Sequence, residues 1–325
     1  MGIANAGLQT ASWRAVEHAP TRRLRRDPLF TTHYSLSARF LTGDGLLRMR
    51  LMGLHDQHLH SRHSIDCRTE PRANVEAALA KGLAGLTFTE HFDTHPLDWP
   101  RCVFDYADYS ASIARVREEF AGKIFIGLGI EVCFQPRQMD FILNFLEKHK
   151  FDLVLVSLHY FSGVPVHVKE NWQGFDAAKG TRQYLEDLLE AVKSIAELHK
   201  THGRVFDVLS HFDVVKRYSL RYRGSYDVSP FAEIIDEILS VCVAADLTPE
   251  INTSSLRQGL SETMPNAQTV RRYAELGGKT VSLGSDSHRA DDIGAGFEIA
   301  LQMVRDAGLQ GLAVFKDRQR SIETV

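Results

Sequence analysis

An α/β fold on a parallel sheet, closed into a barrel, is what this 325-residue sequence predicts. Three observations predict it. From residue 54 onward, short apolar runs alternate strictly with longer amphipathic ones, and parallel strands need such helical crossovers. Nine side chains of metal-binding type, spread over residues 58–288, each stand at or just past the end of a strand-like run. A parallel barrel gathers the C-terminal ends of its strands at one mouth, so groups placed this way can converge. Finally, no linker rich in Gly, Pro or Ser and no internal repeat interrupts 54–325, which favours one domain.

In chain order the strand-like runs are 54–58, 83–89, 124–130, 153–158, 205–209, 247–251 and 280–283. Helical patterns lie between and after them, near 73–82, 106–121, 137–149, 182–202, 230–245, 266–277 and 293–307. The fourth helix shows the signals well. Tyr184, Leu185, Leu188, Leu189, Val192, Ile195 and Ala196 recur at helical spacing, and Gly203 stands where a C-terminal stop belongs. Ser229 before Pro230 reads as an N-cap followed by proline at the first helical position. The longest irregular stretch, 160–180, carries Pro165, Trp172 and Phe175 and reads as an ordered loop over the mouth.

Composition narrows the class. Hydrophobic residues make up 44% and charged residues 24%, enough for a sizeable core. The net charge, 38 minus 41 or −3, argues against broad phosphate-backbone binding, so no nucleic-acid partner is expected. Cys67, Cys102, Cys133 and Cys242 form no CxxC pair and read as reduced thiols of a cytoplasmic protein. No apolar run reaches the ~20 residues of a membrane helix.

Residues 1–50 differ from the rest. They hold eight Arg, no Lys and three acids (Glu17, Asp27, Asp44), about +5, which leaves about −8 for the remainder. With the cluster Arg22, Arg23, Arg25, Arg26 and no sustained period, this Arg-rich leader reads as a disordered tail or as sequence ahead of a start at Met49 or Met52. The barrel domain is expected over 51–325.

The chemistry sits at the strand ends. His58 and His60 form an HxH pair, and residues i and i+2 of a strand share a face, so both imidazoles can reach one metal. Asp66 follows on a loop that can return over them; His55 falls on the opposite face of a regular strand, and His63 is assigned to solvent. His91 ends the second run and Glu131 the third, where a carboxylate behind an apolar strand must be paired or metal-bound. Such a Glu can bridge two cations ~3.5–4 Å apart. His159 and His211 close the fourth and fifth runs, and Asp286 with His288 repeats the i, i+2 logic after the seventh. Each histidine alone has a plain explanation as a buried imidazole; their joint placement is what points to metal. Mixed His and carboxylate donors suit Zn, Mn or Fe, and nine donors suit two or three divalent ions at a catalytic centre with open positions.

These motifs resemble the polymerase and histidinol phosphatase (PHP) superfamily, over about residues 54–308. The resemblance is carried by Asp56-Gln57-His58-Leu59-His60-Ser61 with Asp66, Thr89-Glu90-His91, Glu131, Ser157-Leu158-His159, His211 and Gly284-Ser285-Asp286-Ser287-His288. It implies a distorted (β/α)7 TIM-like barrel of the PHP type with a two- or three-metal centre that hydrolyses phosphoesters. Three segments narrow it to the monofunctional histidinol-phosphate phosphatases: Glu90-His91-Phe92-Asp93, Ser210-His211-Phe212-Asp213-Val214-Val215-Lys216-Arg217-Tyr218 and Glu250-Ile251-Asn252-Thr253-Ser254-Ser255-Leu256-Arg257. The implied substrate is a small phosphate ester, L-histidinol phosphate. The implied mechanism has two or three cations clamp the phosphate and lower the pKa of a bound water. Arg257 and Arg217 are the candidates for the phosphate, because a guanidinium fork matches two phosphate oxygens. For Arg217 a surface charge at a helix start is the competing reading. Asp93, Asp213, Tyr160 and Trp172 are candidates for the amino and imidazole ends. The alternatives are a related phosphoesterase acting on a nucleotide, oligonucleotide or other ester, a barrel deaminase or lactonase, and a non-catalytic metal-binding module. The second would want a lysine where Glu131 and His159 stand.

Overall fold

A computed structural model of the chain describes residues 53–98, 101–102 and 104–325. The Arg-rich leader and both suggested starts lie outside them. The described elements follow the expected alternation: β1 (His55–Leu59), α1 (Pro71–Lys81), β2 (Gly85–Phe92), α2 (Tyr106–Glu119), β3 (Phe125–Cys133), α3 (Met139–Lys148) and β4 (Leu153–Ser157). A short hairpin, β5 (Tyr160–Phe161) and β6 (Val164–Pro165), precedes α4 (Ala177–His202) and β7 (Val208–Leu209). Then come α5 (Val215–Arg223), α6 (Ala232–Ala244), β8 (Thr248–Asn252), α7 (Ala267–Glu275), β9 (Thr280–Gly284), α8 (Phe297–Asp306), β10 (Gly311–Lys316) and β11 (Gln319–Glu323).

Local chemistry explains the boundaries. Asp105, Asp176 and Asn266 accept hydrogen bonds from the first turns of α2, α4 and α7, supplying acceptors for otherwise orphaned N–H groups. Gly203 ends α4 with a positive φ of 76°. Ser229 does not cap α6: it lies in a 3-10 turn ahead of the helix, and its N–H and Oγ both donate to Asp227 Oδ1. The helix over Val215–Arg223 is an addition to the seven expected.

The sheet order is β1-β2-β3-β4-β7-β8-β9-β10-β11, parallel throughout except the last pair. Strands β2, β3 and β4 are buried on nearly every residue, as parallel strands covered on both faces must be. Beyond β9 the chain returns to β1. The Asp286 N–H donates to the His58 carbonyl at 2.7 Å, the His60 N–H donates to the Ser287 carbonyl at 2.8 Å, and Leu59 bridges Ser287 in parallel. Seven strands therefore close the ring, and a strand-end mouth forms where the sequence placed its polar groups.

The two C-terminal strands were not among the expected runs. They close the opposite end of the barrel. Ala313 and Phe315 of β10 pack on Leu153 and Leu155 of β4 and Val208 of β7. The β10–β11 turn, Asp317-Arg318, holds two positive φ values, 47° and 63°, as a tight hairpin turn requires. Asp317 N–H donates to Asp152 Oδ1 at 3.0 Å and Arg318 Nε to Asp207 Oδ2 at 2.5 Å. At the seam the Gln57 side chain stands in for a strand neighbour: its Nε2 donates to the Ala313 carbonyl and its Oε1 accepts from Phe315 N–H at 2.9 Å.

Gln57 can do this because β1 is bulged. Between Asp56 and Leu59 it spends one more residue than β2 spends between Leu86 and Phe88, which re-aims the side chains that follow. Gln57 and His58 consequently point to the same face, the first onto Ser282 and the second onto Glu250. His55, expected on the opposite face of a regular strand, pairs instead with Glu323 of β11 at 2.7 Å. Among the described residues no helix is long and apolar enough to cross a membrane.

Candidate metal centre

Glu131, fully buried near the end of β3, is the hub of the mouth. Its Oε2 lies 3.4 Å from His58 Nε2, 3.6 Å from His60 Nε2 and 2.9 Å from His91 Nδ1. Its Oε1 lies 3.4 Å from His159 Nε2 and 2.9 Å from His211 Nε2, and accepts from Ser157 Oγ at 2.5 Å. The register explains the convergence: His91 is the β2 partner of Glu131, and Ser157 closes β4 two residues before His159.

The imidazoles are oriented from behind. His58 Nδ1 meets Glu250 Oε1 at 2.8 Å, His60 Nδ1 meets Ser64 Oγ at 3.1 Å, and His159 Nδ1 meets Asp93 at 3.2 Å. Glu250 also accepts from the His211 backbone N–H at 2.8 Å. Gly284 makes room for this: a Cβ there would stand 2.1 Å from Glu250 Oε1 and 2.4 Å from His58 Cβ. Gly284→Ala should therefore destabilise the fold by about 1–3 kcal/mol, the usual cost of overpacking, seen as a lower melting temperature and weaker metal retention in a thermal-shift and metal-content comparison. A variant with wild-type values in both would sink the steric argument.

A second carboxylate closes the ring. Asp286, at a positive φ of 49° that non-glycine residues rarely adopt, places Oδ1 3.9 Å from His58 Nε2, 3.4 Å from His60 Nε2 and 3.7 Å from His288 Nδ1. Its Oδ2 takes Arg217 Nη2 at 3.2 Å and Ser254 Oγ at 3.1 Å. Asp66 Oδ2 reaches His288 Nε2 at 3.2 Å and His91 Nε2 at 3.6 Å. Arg217 is not a surface charge: its side chain is 15% exposed and also donates to Ser254 Oγ at 2.5 Å. Arg257 donates to the Ser285 carbonyl at 2.7 Å and faces Asp292 at 3.6 Å.

Electrostatics describe a pocket in need of positive charge. Burial would raise Glu131, but His58, His91 and the bonds from His159 and His211 hold it well below the usual carboxylate range. Asp286 is likewise held low against burial, by His60, His58 and Arg217. His60 is pushed down to about 3 by burial and by the charges of His91 and His288, so it is neutral. Burial opposes charge on His58, His91 and His159, yet their neighbouring carboxylates raise all three well above the ordinary imidazole value.

The residues present fit metal ions. Nε2 of His58, Nε2 of His60 and Oε2 of Glu131 are buried with no hydrogen-bond partner, an arrangement that native interiors avoid. The donors form overlapping threes whose atoms lie within 4.8 Å of one another: His58, His60, Asp286; His60, His91, His288; His58, Glu131, His211; His91, Glu131, His159. Eight of the nine expected residues fall in these groups, and Asp66 joins them through His91 and His288.

Other expectations are corrected. His63 is not at the solvent surface; its side chain is 5% exposed, against Asp108 at 3.6 Å and the Tyr109 ring at 5.3 Å. Trp172 is fully buried inside the 160–180 segment, its N–H bonded to the Val166 carbonyl, and offers no stacking face. That segment is ordered, as expected, packed by Phe161, Trp172 and Phe175. Asp213 is engaged by Lys216, Asp93 by His159, and Tyr160 by Asp98. The site residue the sequence reading missed is Glu250, which orients His58 and belongs to none of the candidate ligand groups. A buried acid two residues before Asn252, on one strand face, was the available signal.

Comparison with known proteins agrees with this geometry. A family model described as "PHP domain" matches residues 56–254. A probable histidinol-phosphatase of Deinococcus radiodurans is 31% identical over 264 residues, 79% of this chain and 95% of that protein. A histidinol-phosphatase of Lactococcus lactis subsp. lactis is 29% identical over 271 residues, 80% of this chain and 93% of its own. The crystal structure of the histidinol phosphate phosphatase from Lactococcus lactis, complexed with zinc, L-histidinol and phosphate, superposes with a TM-score of 0.73 at 27% identity, covering 83% of this chain and 99% of that one.

Proposed function

The chain belongs to the PHP domain family, and from that premise we propose that it hydrolyses L-histidinol phosphate to L-histidinol and phosphate, in the cytoplasm, at a centre of two or three divalent ions. The observation that carries this is the hub: one buried carboxylate faced by five imidazoles, with Arg217 on the second carboxylate, Asp286. His58, His60, Asp66, His91, Glu131, His159, His211, Asp286 and His288 would hold Zn, Mn or Fe ions. When bound, such ions neutralise phosphate oxygens and lower the pKa of a coordinated water toward neutrality.

The chain's own residues do the rest. Glu250, Asp93 and Ser64 fix the ring orientation of His58, His159 and His60 through the nitrogen turned away from the hub, which sets tautomer and direction together. Arg217 and Arg257 each keep one buried N–H without an acceptor, Nε and Nη1 respectively. Each can receive a phosphate oxygen there while its other nitrogen stays anchored, to Asp286 and Ser254 or to the Ser285 carbonyl. Desolvated donors fixed in advance need no reorganisation as charge builds on the phosphoryl group. The net charge of −3 disfavours a long polyanion, so the partner is a small phosphate ester and not nucleic acid.

The test is phosphate release by metal-replete protein from L-histidinol phosphate, with p-nitrophenyl phosphate, AMP and a short oligonucleotide beside it. A kcat/KM at least ~10² above the others, ~2.7 kcal/mol of selective transition-state binding, is expected. It should vanish in His58→Ala, and the Arg257→Ala loss should fall on every phosphate monoester tested, because all share the phosphate that Arg257 meets. Equal rates on histidinol phosphate and p-nitrophenyl phosphate would leave a metal phosphoesterase with a different substrate.

A further inference from the structure

Beyond the hub, a buried charge stands in the first turn of α5, Lys216. It is fully buried, and its ammonium group donates to Asp213 Oδ2 at 2.7 Å, Glu262 Oε1 at 2.7 Å and the Thr263 carbonyl at 3.1 Å. An ammonium group has three N–H bonds, so every donor is used. Burial works against its charge, but Asp213 and Glu262 outweigh it and hold the Lys216 pKa above the ordinary lysine value.

These partners lie on two connections at the mouth. Asp213 stands two residues past His211, in the link from β7 to α5. Glu262 and Thr263 belong to the link from β8 to α7, which opens with the 3-10 turn Ser254–Arg257. That link is internally braced: Ser255 Oγ donates to the Glu262 carbonyl at 2.6 Å, and Asn252 and Met264 exchange backbone bonds of 2.8 and 3.0 Å. A shift at Glu262 is therefore carried to the turn that bears Arg257. Next to Lys216 in the chain is Arg217, whose guanidinium crosses to Ser254 of the same turn.

We propose that Lys216 is a positioning residue, a clamp that ties the β8–α7 link to the start of α5 and so fixes the spacing between the Arg217 and Arg257 guanidinium groups. The proposal rests on the phosphate-binding role given to those arginines above. Lys216 touches none of the nine candidate ligands and no reacting atom; it acts through the arginines. A purely architectural lysine would lower stability and leave phosphate affinity alone, which separates the two roles.

The experiment uses full-length, metal-loaded protein carrying Lys216→Met or Glu262→Gln, the second cutting one arm of the clamp and leaving the lysine in place. KM and kcat for histidinol phosphate, the Ki of inorganic phosphate and metal content per chain are measured. For Lys216→Met, KM and Ki should rise together by about 10-fold with kcat changed less than about 3-fold, the pattern of lost binding common to ground and transition states. Metal content should be unchanged, and Glu262→Gln should move both constants the same way by about 3-fold. In an Arg217→Ala background Lys216→Met should add less than about 2-fold, because coupled residues are not additive. A folded Lys216→Met protein with wild-type KM and Ki overturns the clamp, as does a fall in kcat that tracks lost metal. Should Lys216→Met not fold, Glu262→Gln decides, and an unchanged Ki overturns it. Should wild-type protein show no preference for histidinol phosphate, the substrate reading fails, while the phosphate Ki still reports on the clamp.

Discussion

Glu131→Gln is expected to lower kcat/KM for histidinol phosphate by at least ~10³, about 4 kcal/mol of transition-state stabilisation, and to remove at least one metal ion per chain. The size follows from geometry. Both carboxylate oxygens face imidazoles, Oε2 those of His58, His60 and His91 and Oε1 those of His159 and His211. The amide keeps the shape but loses the charge, and it turns two N–H donors toward imidazoles that must present lone pairs to a cation. Glu250→Gln is the control one layer out. It keeps a carbonyl for His58 Nδ1, so its loss should stay within the ~10–100-fold usual for partners of metal ligands. Metal analysis and steady-state kinetics on the two variants give the comparison. If Glu131→Gln retained full metal content and more than about a tenth of wild-type activity, the hub would be a structural ion-pair network and not the catalytic centre.

The order of elements and the placement of all nine candidate ligands were legible from periodicity and strand-end position, because a parallel barrel turns both into geometry. What was hidden shares one cause: local irregularity that period-counting assumes away. The bulge at Gln57 and His58 puts two consecutive residues on one face, which a regular-strand argument does not foresee, although His55 still stands outside the candidate ligand groups, paired with Glu323. The β10–β11 hairpin turns on Asp317-Arg318 without a glycine at either positive-φ position, so it lacked the usual turn signature and its strands were not among the expected runs. Glu250 stands in the strand Thr248–Asn252 without a neighbouring histidine in sequence; only its tertiary contact with His58 Nδ1 shows its role. Trp172 and Asp213 erred in the opposite direction. Side-chain type suggested ligand contact, but burial and Lys216 claim them. Residue type announces chemistry; which partner receives it is a tertiary fact.

Stripping the protein with a chelator is expected to abolish phosphate release, and restoring Zn, Mn or Fe at neutral pH should bring it back with net release of protons. The sign comes from the metal-free site. His58, His91 and His159 have pKa values raised well above the ordinary imidazole range, since Glu250, Glu131, Asp66 and Asp93 outweigh burial. The upward shift favours protonated rings in the metal-free site, and a protonated ring must lose its proton to give its lone pair to a cation. His60, already neutral with a value near 3, releases none, and Glu131 and Asp286, already ionised, release none either. Apparent metal affinity should accordingly weaken as pH falls below the raised imidazole values, because protons and cations compete for the same nitrogens. Since metal binds the folded chain and not the unfolded one, stripping should also lower the melting temperature. Calorimetric titration of the stripped protein in two buffers of different ionisation enthalpy counts the protons. Uptake with no proton release would mean the imidazoles are neutral without metal, and the buried carboxylates must then find their compensating charge elsewhere, with Arg217 the nearest candidate. Activity that survives with less than about 0.1 ion per chain would end the metal reading altogether, since no other group at the mouth can lower the pKa of an attacking water so far.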